Sequence, residues 1–191
     1  MPLSQLDPVA ALVVIDLQKG IVTLPTVHPM PEIVQRVASL ARAFRAAGLP
    51  VVLVNVAGRA PGRTEIRRPF SPPPDWSELI AELDRQPSDY IVTKFQIGAF
   101  HATGLERILR QANVTQVFLA GVSTSSGVEA TARSAYDQGF HVALVVDAMT
   151  DLDPVLHHHS VEKTFPRIGE TVTAVEALRE LAKRSKSEIP P

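Results

Sequence analysis

Six short apolar runs, rich in β-branched residues and spaced by helix-length stretches, constrain this chain more than any other feature of its 191 residues. They fall at residues 9–15, 51–56, 90–92, 114–120, 141–146 and 171–173. Runs without polar alternation are what parallel strands covered on both faces require. Between them the apolar period changes. Ile33, Val37, Leu40, Ala41 and Phe44 predict a helix that Gly48 and Pro50 stop. Leu105, Ile108, Leu109 and Ala112 predict another, and Val128, Thr131, Ala132 and Ala135 a third that ends at Gly139. Val175, Leu178, Leu181 and Ala182 predict the last. Strand alternating with helix throughout argues an α/β fold. The expected form is a three-layer α/β/α sandwich on a Rossmann-like, mostly parallel sheet of about six strands, with right-handed crossovers. Residues 1–191 read as one domain, because no repeat or shift in composition marks a boundary, and residues 185–191 read as a frayed tail. Residues 57–74, punctuated by Pro61, Pro69, Pro72, Pro73 and Pro74 and by Gly58 and Gly62, form the one long irregular connection and read as an insertion or lid.

Charge and cysteine content narrow the function. With 19 Lys+Arg against 20 Asp+Glu, the net charge is −1, so neither nucleic acid nor an anionic membrane is an expected partner. The longest apolar run is far shorter than the roughly 20 residues of a membrane span, and residues 1–8 lack the basic start of a signal peptide. A cytoplasmic location is the expectation. The chain has no cysteine, which removes disulfides, thiolate metal sites and any thiol nucleophile.

In such sheets ligands sit beyond the carboxyl ends of the strands, so the residues after each strand carry the chemistry. Asp16 follows Val13-Val14-Ile15. A carboxylate there is partly desolvated, which raises its pKa and suits it to proton transfer; it could also cap a turn. Lys94 ends Ile91-Val92-Thr93 and could orient Asp16 or stabilise an anion, or lie at the surface. The small-residue turn Gly121-Val122-Ser123-Thr124-Ser125-Ser126-Gly127 opens a helix, where free backbone N–H groups suit an oxyanion or carboxylate as well as simple capping.

Val14-Ile15-Asp16-Leu17-Gln18, Lys94 with Gly98-Ala99-Phe100, and Gly121-Val122-Ser123-Thr124 leading to Val128 through Tyr136 together resemble the isochorismatase-like cysteine hydrolases. The resemblance continues through Val146-Asp147-Ala148 and covers about residues 8–182. It implies a Rossmann-like sandwich, a homo-oligomer, and a triad of Asp, Lys and Cys. Asp16 and Lys94 take the first two positions, whereas the cysteine position falls on Gly127. Thiolate attack on an amide is therefore excluded. The family's true isochorismatases also carry glycine there and cleave a vinyl ether, which needs a general acid to protonate the enol carbon and no nucleophilic side chain. Asp16, kept protonated by its apolar strand end, would be that acid, and Lys94 would anchor or polarise the substrate. Ser125-Ser126 and Val128-Glu129 resemble the amide-hydrolase branch instead. The resemblance further implies a non-proline cis peptide at Val122–Ser123, with the Ser123 and Gly127 amides as anion donors.

Gln18, Phe95, Val122, Ser123, Thr124 and Ser126 complete the expected substrate-binding set. Ser126 lies one residue before the nucleophile position and is expected to point about 100° away on a helix. The neighbours His157, His158 and His159 diverge around a helix and cannot converge on one ion, so they read as a solvated face, with Asp153 as the N-cap before Pro154. No metal and no cofactor are expected. Arg59, Arg63, Arg67 and Arg68 could bind a substrate carboxylate or merely solvate their loop, and Phe70, Trp76 and Phe95 could supply an apolar wall. The reading is a hydrolase acting through Asp16 and Lys94 on a small anionic molecule. A non-catalytic binding protein and a structural subunit are the alternatives.

Overall fold

A computed structural model describes residues 3–66 and 70–187. Its strands are β1 (Ala10–Ile15), β2 (Val51–Val56), β3 (Tyr90–Lys94), β4 (Gln116–Val122), β5 (His141–Thr150) and β6 (Glu170–Val172). Its helices are α1 (Lys19–Val22), α2 (Met30–Ala46), α3 (Leu105–Gln111), α4 (Glu129–Asp137), α5 (Pro154–His159) and α6 (Ala174–Ser187). The strands form one parallel sheet in the order β3-β2-β1-β4-β5-β6. The predicted three-layer α/β architecture is the one observed.

The unbroken apolar character of β1 follows from its position. Ala10, Leu12 and Val14 pack on one face with Ile33, Val37, Leu40 and Phe44 of α2 and Ala177 and Leu181 of α6. Ala11, Val13 and Ile15 pack on the other with Leu105 and Leu109 of α3 and Ala132 and Ala135 of α4. Each large apolar side chain removed from water here contributes about 1.5–3 kcal/mol. Phe44 and Phe118 meet edge to face at 5.3 Å between ring centres.

Several expected boundaries move. β4 begins and ends two residues later than the apolar run, and β5 runs on to Thr150 instead of stopping at Val146. Its register against β4 shifts between Leu119 and Gly121, so extra β5 residues bulge out, and the polar Asp147 sits in that irregularity. The α6 stripe is also displaced: Ala174, Ala177 and Leu181 are buried, whereas Val175 is exposed. The four-residue α1 has no counterpart in the apolar periodicity. Within residues 57–74, the described residues contain neither helix nor strand. Among the described residues no helix is long and apolar enough to cross a membrane.

Strand order decides where a site forms. After β1 the chain adds β2 and β3 on one side and β4 to β6 on the other, so the connections leave in opposite directions at the carboxyl ends of β1 and β4. Asp16 and Val122 stand on the two sides of that opening.

Candidate active site

Asp16 adopts φ +53°, left-handed backbone that aspartate tolerates better than most residues. Its N–H is held by Val54 O at 2.9 Å, and its carbonyl accepts Gln18 N at 3.0 Å, which turns the chain sharply off β1. The side chain is buried against the end of the sheet, as is Lys94 from the tip of β3. Lys94 Nζ donates to Asp16 Oδ2 at 2.8 Å and to the Gln96 carbonyl at 3.3 Å. Asp16 Oδ1 is buried and has no hydrogen-bond partner among the described residues. Burial pushes the Asp16 carboxyl up to about 6, against the opposing pull of the Lys94 charge and hydrogen bond.

The turn after β4 lies opposite. Val122–Ser123 is a cis peptide, at the position that the family resemblance implies. Thr124–Val128 then forms a π-turn, with Val128 N donating to Ser123 O at 3.1 Å, before α4 begins. Gly127 is buried, and a Cβ built on it would sit 3.4 Å from Asp16 Oδ2 and 3.0 Å from Ile15 Cγ2. A side chain at residue 127 would therefore point at the carboxylate. The wider π geometry, in place of regular α-helix, lets Ser126 as well as Gly127 border the cavity.

The cavity has a volume of about 790 Å³. Asp16, Lys94, Val122, Ser123, Ser126 and Gly127 form one end of it. Ile21, Leu24, Val56, Phe95, Ile97, Ile66 and Leu152 give it apolar walls, and Arg59, Arg63 and Thr64 from the irregular connection supply polar groups. The Arg59 guanidinium stacks over the Phe70 ring at 4.5 Å, and Phe70 in turn meets Trp76 edge to face. Phe95 lines the cavity, whereas Phe70 and Trp76 do not. Trp76 lies against Gly20, where any side chain would collide with the indole. Arg67 and Arg68 lie outside the described residues.

Two expected binding residues are not at the cavity. Gln18 is fully buried and holds backbone, with Nε2 donating to Val56 O and Trp76 O and Oε1 accepting Val56 N. A buried amide must satisfy its own donors and acceptor, and here three backbone groups use them. Thr124 is likewise fully buried, its hydroxyl paired with His157 Nδ1 at 2.9 Å. The histidine run also needs correction. His158 and His159 are exposed, but His157 points inward, edge to face with His28 at 4.7 Å. Burial and the neighbouring His28 and His158 lower its pKa. Asp153 does cap α5, accepting from Val155 N and Leu156 N.

Sequence reasoning passed over Asp151. It is the residue immediately after β5, the same placement that singled out Asp16, but the expected strand end at Val146 concealed it. Its buried carboxylate accepts Ser125 N at 2.7 Å and Ser125 Oγ at 2.8 Å on one oxygen, and Leu152 N at 2.8 Å on the other.

The Isochorismatase domain family matches residues 10–176. The isochorismatase family protein YecD of Escherichia coli O157:H7 is 39% identical over 181 residues, covering 90% of this chain and 95% of its own. The structure of an isochorismatase family protein from Burkholderia thailandensis superposes with a TM-score of 0.88 at 39% identity, over 95% of this chain and 98% of that one. Streptothricin hydrolase of Streptomyces noursei is 32% identical over 172 residues, 90% of this chain and 57% of its own length.

Proposed function

Because the chain belongs to the isochorismatase family, we propose that it is a hydrolase whose acid–base group is Asp16 and which uses no side-chain nucleophile. The observation that carries the proposal is the buried Asp16 carboxyl, raised to about 6 and held by Lys94 at 2.8 Å, facing bare backbone at Gly127. A carboxyl so tuned keeps about a tenth of its population protonated at pH 7, enough to donate a proton and recover it within a cycle. The similarity to a hydrolase over 90% of the chain supports the reaction class.

A vinyl ether is the bond that this arrangement suits. Asp16 gives its proton to the terminal enol carbon, and the electron pair of the double bond forms the new C–H bond. The ether oxygen then shares the positive charge as an oxocarbenium ion. Water adds to the carbon that bears the ether oxygen and returns a proton to Asp16, and the hemiketal collapses to a ketone and an alcohol. Lys94 holds the carboxylate, at the wall of the cavity, in place between these steps. Arg59 and Arg63 at the cavity support an anionic substrate, since guanidinium groups bind carboxylates in two-point contacts. The same reading carries the expectation of a cytoplasmic homo-oligomer that needs no cofactor.

Incubation with isochorismate and other enolpyruvyl ethers, with pyruvate as readout, tests the proposal. Wild type should release pyruvate, and Asp16→Asn should lose at least about 100-fold in kcat while circular dichroism stays unchanged. No pyruvate from any of these ethers would end the vinyl-ether assignment. One observation, the glycine in place of a thiol, favours a second reading as a small-molecule-binding protein. Binding of the ethers without turnover would decide for it.

A further inference from the structure

The Thr124–Val128 turn carries Gly127, whose carbonyl accepts the Thr131 hydroxyl of α4 at 2.6 Å. Two side chains from beyond β5 hold the start of the same turn. Ser125 presents both its N–H and its hydroxyl to one oxygen of Asp151, and Thr124 pairs with His157. The second Asp151 oxygen takes the N–H of Leu152, which lines the cavity, and the Asp151 carbonyl takes Val27 N at 2.8 Å. Asp151 is only 4% exposed and its carboxylate forms none of the ion pairs among the described residues, so its charge is balanced there by N–H and O–H dipoles.

We infer that Asp151 is a positioning residue of the site. Its carboxylate clamps the Ser125 and Leu152 amides and thereby sets the distance between the Gly127 backbone and Asp16. The inference rests on the proposed acid role of Asp16 for its effect on turnover, but not for its effect on geometry. Only a carboxylate offers an acceptor on both oxygens. An asparagine would turn an N–H donor toward one of the two amides, opening the clamp while keeping size and shape.

Asp151→Asn in the full-length protein tests this by three readouts. The Asp16 carboxyl, followed by carbon-13 NMR, should titrate closer to an ordinary carboxylate than in wild type, because a displaced turn admits water beside it. Amide hydrogen exchange should rise about tenfold within residues 123–128 and stay unchanged in β1 and β4. With an enolpyruvyl ether, kcat should fall about 10- to 100-fold. A wild-type Asp16 midpoint together with wild-type exchange at 123–128 would overturn the inference. A purely architectural Asp151 would lower the melting temperature without moving the Asp16 midpoint, and that outcome overturns it too. Should Asp151→Asn not fold, Ser125→Ala decides. It removes only the hydroxyl bond and should produce the same shifts at a smaller size, about two- to fivefold in exchange, and their absence would refute the clamp. If wild type cleaves no enol ether, the proposed function fails, while the titration and exchange still decide the role of Asp151.

Discussion

At the scale of the residue, Asp16 is governed by two opposed effects, and burial wins. Loss of water disfavours its charge more than the Lys94 ammonium at 2.8 Å restores it, which leaves the carboxyl near 6. A general acid must carry its proton, so kcat/KM for an enol ether should be level below about pH 6 and fall about tenfold per pH unit above it. A general base would show the mirror profile, and a rate rising through pH 6 would reject the acid role. Lys94→Met should move the falling limb to higher pH, since it removes the ammonium that opposes burial, and a pH–rate profile of the variant checks this. The sequence itself exposed the desolvated position of Asp16, because a carboxylate directly after a buried run has few places to go. It could not show the meeting with Lys94, which is 78 residues away. Gln18 misled for a related reason: a polar residue beside the site looks like a ligand group until its three backbone partners are seen.

At the scale of the element, backbone shape decides which substitutions the site tolerates. Gly121, at φ +117°, lies so close to β1 that an added Cβ would sit 2.1 Å from Ile15 O, and backbone cannot step aside as a side-chain tip can. Gly48, at φ +65° after α2, has open space around it. Gly121→Ala should therefore cost about 3 kcal/mol or more, and Gly48→Ala about 1–2 kcal/mol from the left-handed conformation alone. Urea unfolding of the two variants measures both, and equal losses would show that close approach between β1 and β4 is not what requires Gly121. Helices whose apolar spacing is regular, such as α2, were legible in advance to within a few residues. β5 was not, because its bulge interrupts the apolar run at Asp147, and the true strand end with Asp151 fell outside the expected element. His157 was missed because helical position alone does not reveal which face of α5 meets the rest of the protein.

For the whole molecule, one sheet is shared by two cores, and every β1 residue belongs to one or the other. Neither core survives removal of that strand, so the chain should unfold in a single transition. Calorimetric and van't Hoff enthalpies should agree, and two resolved transitions would contradict the reading of residues 1–191 as one domain. The sequence by itself determined the layered α/β class, the strand-end placement of Asp16 and Lys94, and the lack of any thiol, because hydrophobic period and residue chemistry are local properties. Only the tertiary structure decided that β1 and β4 part at the cavity, that Lys94 reaches Asp16, that Gln18 and Thr124 face inward, and that Asp151 and His157 brace the turn. Those outcomes depend on distances and water exclusion between segments far apart in the chain, and packing alone sets both.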